Sequence, residues 1–422
     1  MSTDALKRIE AAEASLVEQF QNIDRIALNN QRRVLDAFRE HRLTEEYFAE
    51  RTGYGMDDAG REAMDKIYAS ALQAEAAAVR MQFVSGTHAL ACALFGNVQP
   101  GQRVAMLTGE PYDTMQKVIG KKGKERGSLL AQGIDYVEAD CISPELSDKA
   151  RRDLLEKLLA APTKLAYIQK SCGYSFERRT LTVPEIAELC AEIKSIAPDC
   201  TIMVDNCYGE FVEEHEPTSV GADIMAGSLI KNPGGGLAIS GGYVAGTEQC
   251  VEAALTRLTA PGIGGHLGLS FNQNRLLMQG LFLAPTVVSN ALKGALLTAK
   301  LFRDAGYDVR PEATERRGDI IQSIKFGEAD ALIHFLKAVQ FNSPVNAHVE
   351  PEPADMPGYE DKVVMAGGTF VEGSTIEFSA DGPLRPPFVA FVQGGLSYFH
   401  VKCALQGALD AVLRGNPRPA KA

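Results

Sequence analysis

The sequence predicts an α/β fold built on a mostly parallel sheet, because short apolar strands alternate with helices along residues 61–285. A helix between two strands returns the chain to the same edge of the sheet, so the strands run parallel and both faces are covered. After residue 285 the pattern indicates a smaller α+β unit. We therefore divide the chain into an N-terminal helical arm (1–60), a large domain (61–285), and a linking helix with a small C-terminal domain (286–422).

Each element is predicted from its periodicity. Apolar residues at helical spacing predict a helix from residue 3 to about 50, which ends at the glycines around Tyr54, and a second helix over 61–78. The strand candidates of the large domain are 79–84, 103–107, 134–137, 165–168, 202–204, 224–229 and 242–245. Its further helices begin at Ser85 and near Asp113 and cover 148–159 and 184–196. The C-terminal part predicts a helix over 286–305, and the segments 320–326 and 329–339 with a hairpin over 363–378 indicate the α+β unit.

Composition excludes several classes of protein. The chain has 422 residues, 45% apolar and 23% charged, and a net charge of −11, which disfavours nucleic acid or an anionic membrane as partner. No apolar run approaches the length of a membrane span, and the N-terminus begins a charged amphipathic helix rather than a signal peptide. The eight cysteines and seven histidines show no disulfide or metal-binding spacing. We expect reduced thiols, no metal and a cytoplasmic location.

Two strand ends carry the residues on which the functional prediction depends. Asp205 ends one apolar run, and Lys231 follows another, just before a glycine-rich segment. An enzyme that uses pyridoxal phosphate (PLP) needs a lysine that binds the cofactor's aldehyde as a Schiff base and a carboxylate against its pyridinium nitrogen. Ligands of such sheets bind outside the carboxyl ends of the strands, so both side chains could reach one crevice. The sequence therefore indicates PLP, and we expect burial beside the cofactor to lower the pKa of the freed Lys231 amine.

The cofactor phosphate has its own candidates. Ser85, Gly86 and Thr87 open a predicted helix, whose free N–H groups and two hydroxyls suit an anion. Serine and threonine are also ordinary helix caps, which is the plainer interpretation. Ser228 would supply a further hydroxyl. Tyr112 is placed after its own strand to stack on the pyridine ring and take part in catalysis, with core packing as the alternative.

Three further residues complete the predicted site. Tyr208, three residues after Asp205, either offers its phenol to the cofactor's ring oxygen or packs under the sheet. Gln169 ends a strand and is expected on the substrate side. Arg385 lies in a proline-rich loop and is the candidate for the substrate α-carboxylate, which a guanidinium binds through two hydrogen bonds. A merely exposed arginine is the alternative.

The residues 204–211, 220–236 and 260–264, extended by 382–387 and 393–396, resemble the PLP-dependent family of methionine γ-lyase-like or aluminium-resistance proteins, relatives of the cystathionine lyases. The resemblance implies fold type I, Lys231 as the PLP-bearing lysine, Asp205 on the ring nitrogen and Arg385 on the substrate. It also implies a homodimer or homotetramer with active sites between subunits. In that assembly the region from Tyr54 to Arg61 would reach the neighbour's cofactor phosphate.

Three positions depart from the family pattern. Cys172 stands where a basic residue is usual, His266 where an acidic residue is common, and Met56 in place of an aromatic residue. We expect Cys172 and His266 close to the substrate, which favours a specialised substrate.

The predicted reaction is an elimination from an amino acid with a leaving group on Cγ, although the residues do not separate γ- from β-elimination. The resemblance extends to propargylglycine synthase-like members, which eliminate halide from a γ-chlorinated allylglycine, and this is the specialised substrate. The alternatives are a β- or γ-lyase of sulfur amino acids such as cystathionine and methionine, an aminotransferase or aldolase, and a non-catalytic PLP-binding protein. A lyase releases a keto acid and ammonia, whereas an aminotransferase leaves pyridoxamine phosphate.

Overall fold

The computed structural model describes residues 3–121, 125–356 and 359–414. The N-terminal arm consists of two helices, α1 (Thr3–Ser15) and α2 (Val17–Glu40), followed by a short 3-10 helix at Glu45–Phe48. The single helix predicted to residue 50 is therefore wrong in its end. Arg42 has a φ of 51°, in the left-handed region, and this conformation ends the helical run before the 3-10 turn.

A seven-stranded sheet forms the large domain. Its strands are, in chain order, β1 (Ala76–Arg80), β2 (Arg103–Met106), β3 (Asp135–Glu138), β4 (Thr163–Gln169), β5 (Thr201–Asp205), β6 (Ile224–Ser228) and β7 (Gly242–Gly246). Their order in the sheet is β1-β7-β6-β5-β4-β2-β3. Only β7 runs against its neighbours β1 and β6, and the other pairs are parallel. The predicted mostly parallel sheet is confirmed.

Helices cover the two faces of this sheet. They are α3 (Ala59–Ala71), α4 (Gly86–Gly96), α5 (Asp113–Ile119), α6 (Asp148–Leu159), α7 (Val183–Ile196) and α8 (Glu248–Leu258). Side-chain caps fix several starts: Ser147 accepts from the third residue of its helix, and Thr182 with Glu185 forms a capping box. These local signals explain why α6 and α7 begin within one residue of their predicted starts.

The first strand lies earlier than predicted. The sequence places a helix over 61–78 and a strand over 79–84, whereas α3 ends at Ala71 and β1 covers Ala76–Arg80. Alanines favour helix in isolation. Here Ala76, Ala77 and Ala78 pair with Gly246, Ala245 and Val244 of β7, so the sheet partner overrides the local preference.

One long helix, α9 (Asn274–Asp304), connects the two sheets. The prediction that it begins after Pro285 is wrong, because the helix starts 12 residues before 286 and contains the proline. Packing stabilises the helical conformation around Pro285. A Cβ on Gly280 would lie 2.2 Å from the carbonyl oxygen of Gly234, so the helix packs closely on the loop after β6. By length and composition α9 could cross a membrane, but 72% of its apolar window is buried in the protein, which makes it a core helix. The proposed domain boundary at 285 falls inside it.

The C-terminal part holds an antiparallel sheet with the order β10-β11-β12-β9-β8. Its elements are β8 (Asp308–Arg310), β9 (Gln322–Lys325), α10 (Ala329–Phe341), β10 (Val363–Ala366), β11 (Ser379–Pro383), β12 (Val389–Gln393) and α11 (Tyr398–Arg414). The smaller α+β unit is thereby confirmed. The hairpin predicted over 363–378 is wrong in its second strand, because β10 pairs with β11, which begins only at Ser379. Residues 367–378 form a long loop instead, and part of it reaches the site.

Candidate active site

One cavity of about 350 Å³ opens at the edge of the large sheet where its parallel strands end, facing the small domain. Of the residues predicted for the site, Ser85, Gly86, Thr87, Tyr112, Gln169, Asp205, Tyr208, Ser228 and Lys231 line it. Strand register brings them together: Gln169 of β4 is paired with Asp205 of β5, and Ser228 ends β6 beside Gly242 of β7. The cavity has the size that small-molecule sites commonly have.

Lys231 presents its amine to this cavity. It follows β6 by three residues, and its Nζ lies 3.6 Å from the centroid of the Tyr208 ring. Burial lowers the pKa of Lys231, but Tyr208 and Cys207 beside it raise the pKa, and the net result lies above the ordinary value. In the protein without cofactor the ring of Tyr208 stabilises the ammonium form. The lowered pKa expected for the freed amine beside the cofactor stays a prediction.

Asp205 is 4% exposed and lies deeper in the same cavity. Its Oδ1 accepts the backbone N–H of Cys207 at 3.1 Å, and Tyr167 donates its hydroxyl to Oδ2 at 3.5 Å. Burial raises the pKa of Asp205, while the Cys207 N–H and the charge of Lys231 act against that rise. A cationic partner at this carboxylate would favour its ionised form, which is the environment that a pyridinium nitrogen supplies.

The part of the cavity wall formed by the start of α4 fits a phosphate. Ser85 caps α4, because its Oγ accepts the backbone N–H of His88 at 3.1 Å, so the plain capping role is present. A Cβ on Gly86 would stand 3.0 Å from the Cβ of Ser228 and 3.5 Å from the Sγ of Cys207. The helix start, with N–H groups that have no partner inside the helix, thus packs directly against Ser228. Together with the Thr87 hydroxyl this is a donor set suited to an anion.

Tyr112 forms another part of the cavity wall. Its hydroxyl lies 3.1 Å from Thr87 Oγ1, and its backbone N–H donates to Gln169 Oε1 at 3.0 Å. Gln169 also donates from Nε2 to the carbonyl of Ser171 at 3.0 Å. Burial raises the pKa of Tyr112, helped by the charge of Asp205, so the phenol stays neutral. Gln169, predicted to bind substrate, has both ends of its amide engaged in holding Tyr112 and Ser171.

Arg385 lies beside the cavity but does not line it. Its guanidinium donates to Asp361 Oδ2 at 3.0 Å and to the carbonyl of Tyr174 at 3.2 Å, and it lies 3.9 Å from Asp113 Oδ1. Asp113 and Tyr174 both line the cavity. A substrate carboxylate can therefore bind Arg385 only if it displaces Asp361 or Asp113 or binds the guanidinium beside them.

Two of the predicted substrate contacts are wrong in this structure. Cys172 is 7% exposed and packs in an apolar cluster with Phe176, Val389 and Phe391, and its Sγ donates to the carbonyl of Gly173 at 3.3 Å. Burial raises the pKa of this thiol. His266 is exposed, lies in the short 3-10 helix at Gly264–His266, and is absent from the cavity lining among the described residues.

Tyr54 and Arg61 also lie outside the cavity of this chain. Tyr54 is 72% exposed. Arg61 is 2% exposed, and its guanidinium donates to the carbonyls of Gly55, Gly268 and His266 at 2.6, 2.9 and 3.1 Å. The three bonds use both terminal nitrogens of Arg61, which anchors the loop that presents Tyr54. The contact of this region with a neighbour's cofactor phosphate stays a prediction, because the buried Nε of Arg61 has no hydrogen-bond partner among the described residues.

Sequence reasoning missed the far side of the cavity, which the small domain and its loops supply. Tyr174, Tyr359 and Phe391 form an aromatic wall, with Tyr174 centroids 5.4 Å from Tyr359 and 5.1 Å from Phe391. The Tyr174 hydroxyl donates to the buried Asp381 at 2.5 Å, and Ser374 donates to the same carboxylate at 3.3 Å. No motif marks these residues. Asp113, Thr114 and Cys207 were also missed, although each adjoins a predicted residue.

A sheet with one reversed strand, a lysine and a carboxylate in one crevice, and a helix start against Ser228 define a PLP-dependent enzyme of fold type I. The family model for methionine gamma-lyase matches residues 5–413, and the chain therefore belongs to this family. The predicted family, cofactor and fold type are confirmed, and the chain is a PLP-dependent lyase.

Relatives agree with this assignment. The chain is 46% identical over 403 residues to the uncharacterized protein YnbB of Bacillus subtilis (strain 168), covering 95% of each. Among solved structures it is similar to a carbon-sulfur lyase involved in aluminum resistance from Clostridium novyi NT, with a TM-score of 0.91 and 45% identity over 97% of this chain and 96% of that one. The pyridoxal-5'-phosphate dependent protein YhfS of Escherichia coli shares the fold, with a TM-score of 0.60, 16% identity, and coverage of 91% and 96%.

Proposed function

We propose that this chain is a carbon–sulfur lyase, which eliminates a thiol from Cβ or Cγ of a sulfur amino acid such as cystathionine or methionine. The observation that carries the proposal is that Lys231 and Asp205 line the same cavity. The amine of Lys231 lies 3.6 Å from the centroid of the Tyr208 ring. The similarity to the Clostridium novyi protein, described as a carbon-sulfur lyase, supports sulfur as the leaving atom.

Each residue has a part in this reaction. When bound, PLP supplies an electron sink for the negative charge that develops at Cα. Lys231 holds the cofactor and, once its amine is free, takes the proton from Cα. The Asp205 carboxylate would pair with the protonated ring nitrogen, and Tyr112, whose phenol is neutral, would help hold the ring in the cavity. Arg385 binds the α-carboxylate at the rim, next to Asp113.

A γ-chlorinated substrate has little support. It was predicted because Cys172 and His266 were expected beside the substrate, and the described structure places neither on the cavity. Tyr174, Tyr359 and Phe391 line this side of the cavity. The sulfur amino-acid reaction, which was the alternative, is therefore our main proposal. Whether the elimination is β or γ depends on where the leaving group lies along this wall.

We also propose a homodimer or homotetramer, as the family resemblance implies. Val84 and Ile239 line the mouth of the cavity and are 75% and 56% exposed, and Tyr54 is 72% exposed. Large apolar side chains at the entrance of a site are typical of surfaces that another subunit covers. The cytoplasmic location remains a prediction.

A product assay tests the function. The purified protein, saturated with PLP, is incubated with cystathionine, methionine, homocysteine and chloroallylglycine, and keto acid, free thiol and chloride are measured. We expect keto acid and thiol in equal amounts from a sulfur amino acid and no chloride. Chloride release without thiol release would return the assignment to the halide substrate, and pyridoxamine phosphate without thiol would indicate an aminotransferase.

A further inference from the structure

The turn that positions Tyr208 beside Lys231 has a backbone conformation that residues with a side chain rarely adopt. It follows Asp205, and within it Tyr208 has a φ of 71° and Phe211 a φ of 60°. Residues with a side chain rarely adopt this left-handed region, and they persist there only when the surroundings hold them. What holds this turn therefore decides where the Tyr208 ring lies.

Three consecutive carbonyl groups of the turn are held by three buried side chains. Lys170 Nζ donates to the carbonyl of Gly209 at 3.4 Å, Asn232 Nδ2 to that of Glu210 at 2.9 Å, and Asn30 Nδ2 to that of Phe211 at 2.8 Å. All three donors have an exposed fraction of 0%. They come from the end of β4, from the loop after Lys231 and from the N-terminal arm, so the turn is fixed from three separate elements.

Lys170 is the unusual member of this set. Its ammonium lies 3.5 Å from Glu213 Oε2 and directly beneath Gly209, where a Cβ would stand 2.9 Å from Nζ. Burying an ammonium group costs free energy that only paired partners offset, and here the partners are one carboxylate and one backbone carbonyl. Lys170 does not line the cavity, and the proposed reaction gives it no part.

We propose that Lys170 and Asn30 are positioning residues, which hold the carbonyls of Gly209 and Phe211 and thereby keep the Tyr208 ring against the amine of Lys231. The proposal rests on the proposed function of Lys231. Without these donors the turn relaxes away from its left-handed conformation and the ring leaves the amine. The freed lysine then loses the contact that orients it towards the reacting carbon.

Two variants and a matched control test this. Lys170→Met and Asn30→Ala each remove one donor from the turn. Lys194→Met is the control, because Lys194 Nζ also bridges a backbone carbonyl and a carboxylate, those of Cys200 and Asp223, at 2.9 Å each. It lies outside the cavity and is partly exposed. A general effect of losing a bridging lysine therefore appears in both Lys170→Met and Lys194→Met, and the melting temperatures of all three proteins report any loss of stability.

The first readout needs no cofactor. Reductive methylation of Lys231 is followed against pH by peptide mass spectrometry in protein without PLP. Burial lowers the pKa of Lys231 and Tyr208 raises it, so the loss of the ring contact is expected to move the midpoint to lower pH in both variants. The control is expected to keep the wild-type midpoint. In protein saturated with PLP, kcat is expected to fall about 10- to 100-fold in both variants, with a smaller change in KM.

The outcomes separate positioning from simple stability. A wild-type midpoint and kcat in both variants, with only a lower melting temperature, would overturn the proposal. If Lys170→Met does not fold, Asn30→Ala decides by the same readouts. If the wild-type protein shows no lyase activity, the proposed function fails, but the methylation midpoint still supports positioning if it shifts and overturns it if it does not.

Discussion

The two halves of the cavity are built differently. The cofactor half is built mainly from residues at or shortly after the ends of β1, β5 and β6, including Ser85, Asp205, Ser228 and Lys231. The substrate half is assembled from the loop after β4, the long loop before β11 and the strand β12, with Tyr174, Ser374 and Phe391 as members. One sheet therefore fixes the first half, while packing between two domains fixes the second.

This difference decides what kind of change each half tolerates. Parallel strands of one sheet cannot shift singly without breaking their ladder, so the cofactor groups keep a constant geometry. Most of the substrate groups lie on loops, which accept substitutions and insertions more easily than strands do. We infer that the family keeps its cofactor chemistry in the sheet and changes its substrate through the small domain.

The largest loss of activity is expected from a substitution of Lys231, which belongs to the cofactor half. Lys231→Ala removes both the attachment of the cofactor and the base, so kcat is expected to fall by about 10³-fold or more. Thiol release from cystathionine at saturating PLP measures it. Lys293→Ala, on α9 and bound to Asp24, is the control and should keep full activity. A Lys231→Ala protein with activity within tenfold of wild type would show that another group binds the cofactor and acts as the base.

The substrate half is tested at Arg385. Arg385→Ala removes a guanidinium that already has two carboxylate neighbours, and we expect KM for sulfur amino acids to rise about 10- to 100-fold with a smaller change in kcat. Steady-state kinetics measure this split. Asp361→Asn keeps Arg385 but weakens its present partner, so it should leave KM unchanged or lower it. An unchanged KM in Arg385→Ala would assign the carboxylate to another residue.

A smaller effect is expected where the helix start meets Ser228. Gly86→Ala places a methyl group 3.0 Å from the Cβ of Ser228, and such overpacking commonly costs about 1–3 kcal/mol. We expect the affinity for PLP to fall about tenfold, as measured by fluorescence titration. Gly367→Ala is the control, because Gly367 has open space around it and lies outside the left-handed region. Equal PLP affinity in Gly86→Ala and wild type would place the phosphate elsewhere.

The smallest effect concerns the layer behind the cofactor half. Burial raises the pKa of Glu210 to about 8 from 4.5, and Tyr243 donates to its Oε1 at 2.7 Å. Between pH 4.5 and pH 8, Glu210 therefore stays protonated in the folded protein and is ionised in the unfolded chain. Its contribution to stability is complete below pH 4.5 and is lost as the pH rises towards 8.

Calorimetry checks this sign. Between pH 5 and pH 8 the melting temperature of the wild-type protein is expected to fall by a few degrees more than that of Glu210→Gln. Glu10→Gln, an exposed site on α1, should follow the wild type. A Glu210→Gln protein whose melting temperature changes with pH as the wild type does would contradict the raised pKa.

The sequence predicts the large sheet well and its surroundings less well. Six of the seven strands lie within two residues of their predicted bounds, because alternating apolar runs and helix caps are local signals. The strand Ala76–Arg80 was misplaced because only its partner β7 makes an alanine run extended. The helix Asn274–Asp304 was cut at Pro285, a local break that burial against the loop after β6 overrides.

The site divides in the same way. Asp205 and Lys231 could be found because their chemistry is tied to strand ends, which the pattern reveals. Cys172 and His266 were misjudged because departure from a family pattern says nothing about which way a side chain points. Tyr174 and Asp381 could not be found, since their contact joins positions 207 residues apart. Only the packing of the small domain on the sheet brings such groups together.

The most direct test of the account is the identity of the lysine that carries the cofactor. The PLP-loaded protein is reduced with borohydride, digested, and its labelled peptides are identified by mass spectrometry. The account predicts one labelled residue, Lys231, and loss of the label when a sulfur amino-acid substrate is present before reduction. A label on Lys170 or any other lysine, or an unlabelled protein after saturation with PLP, would contradict it.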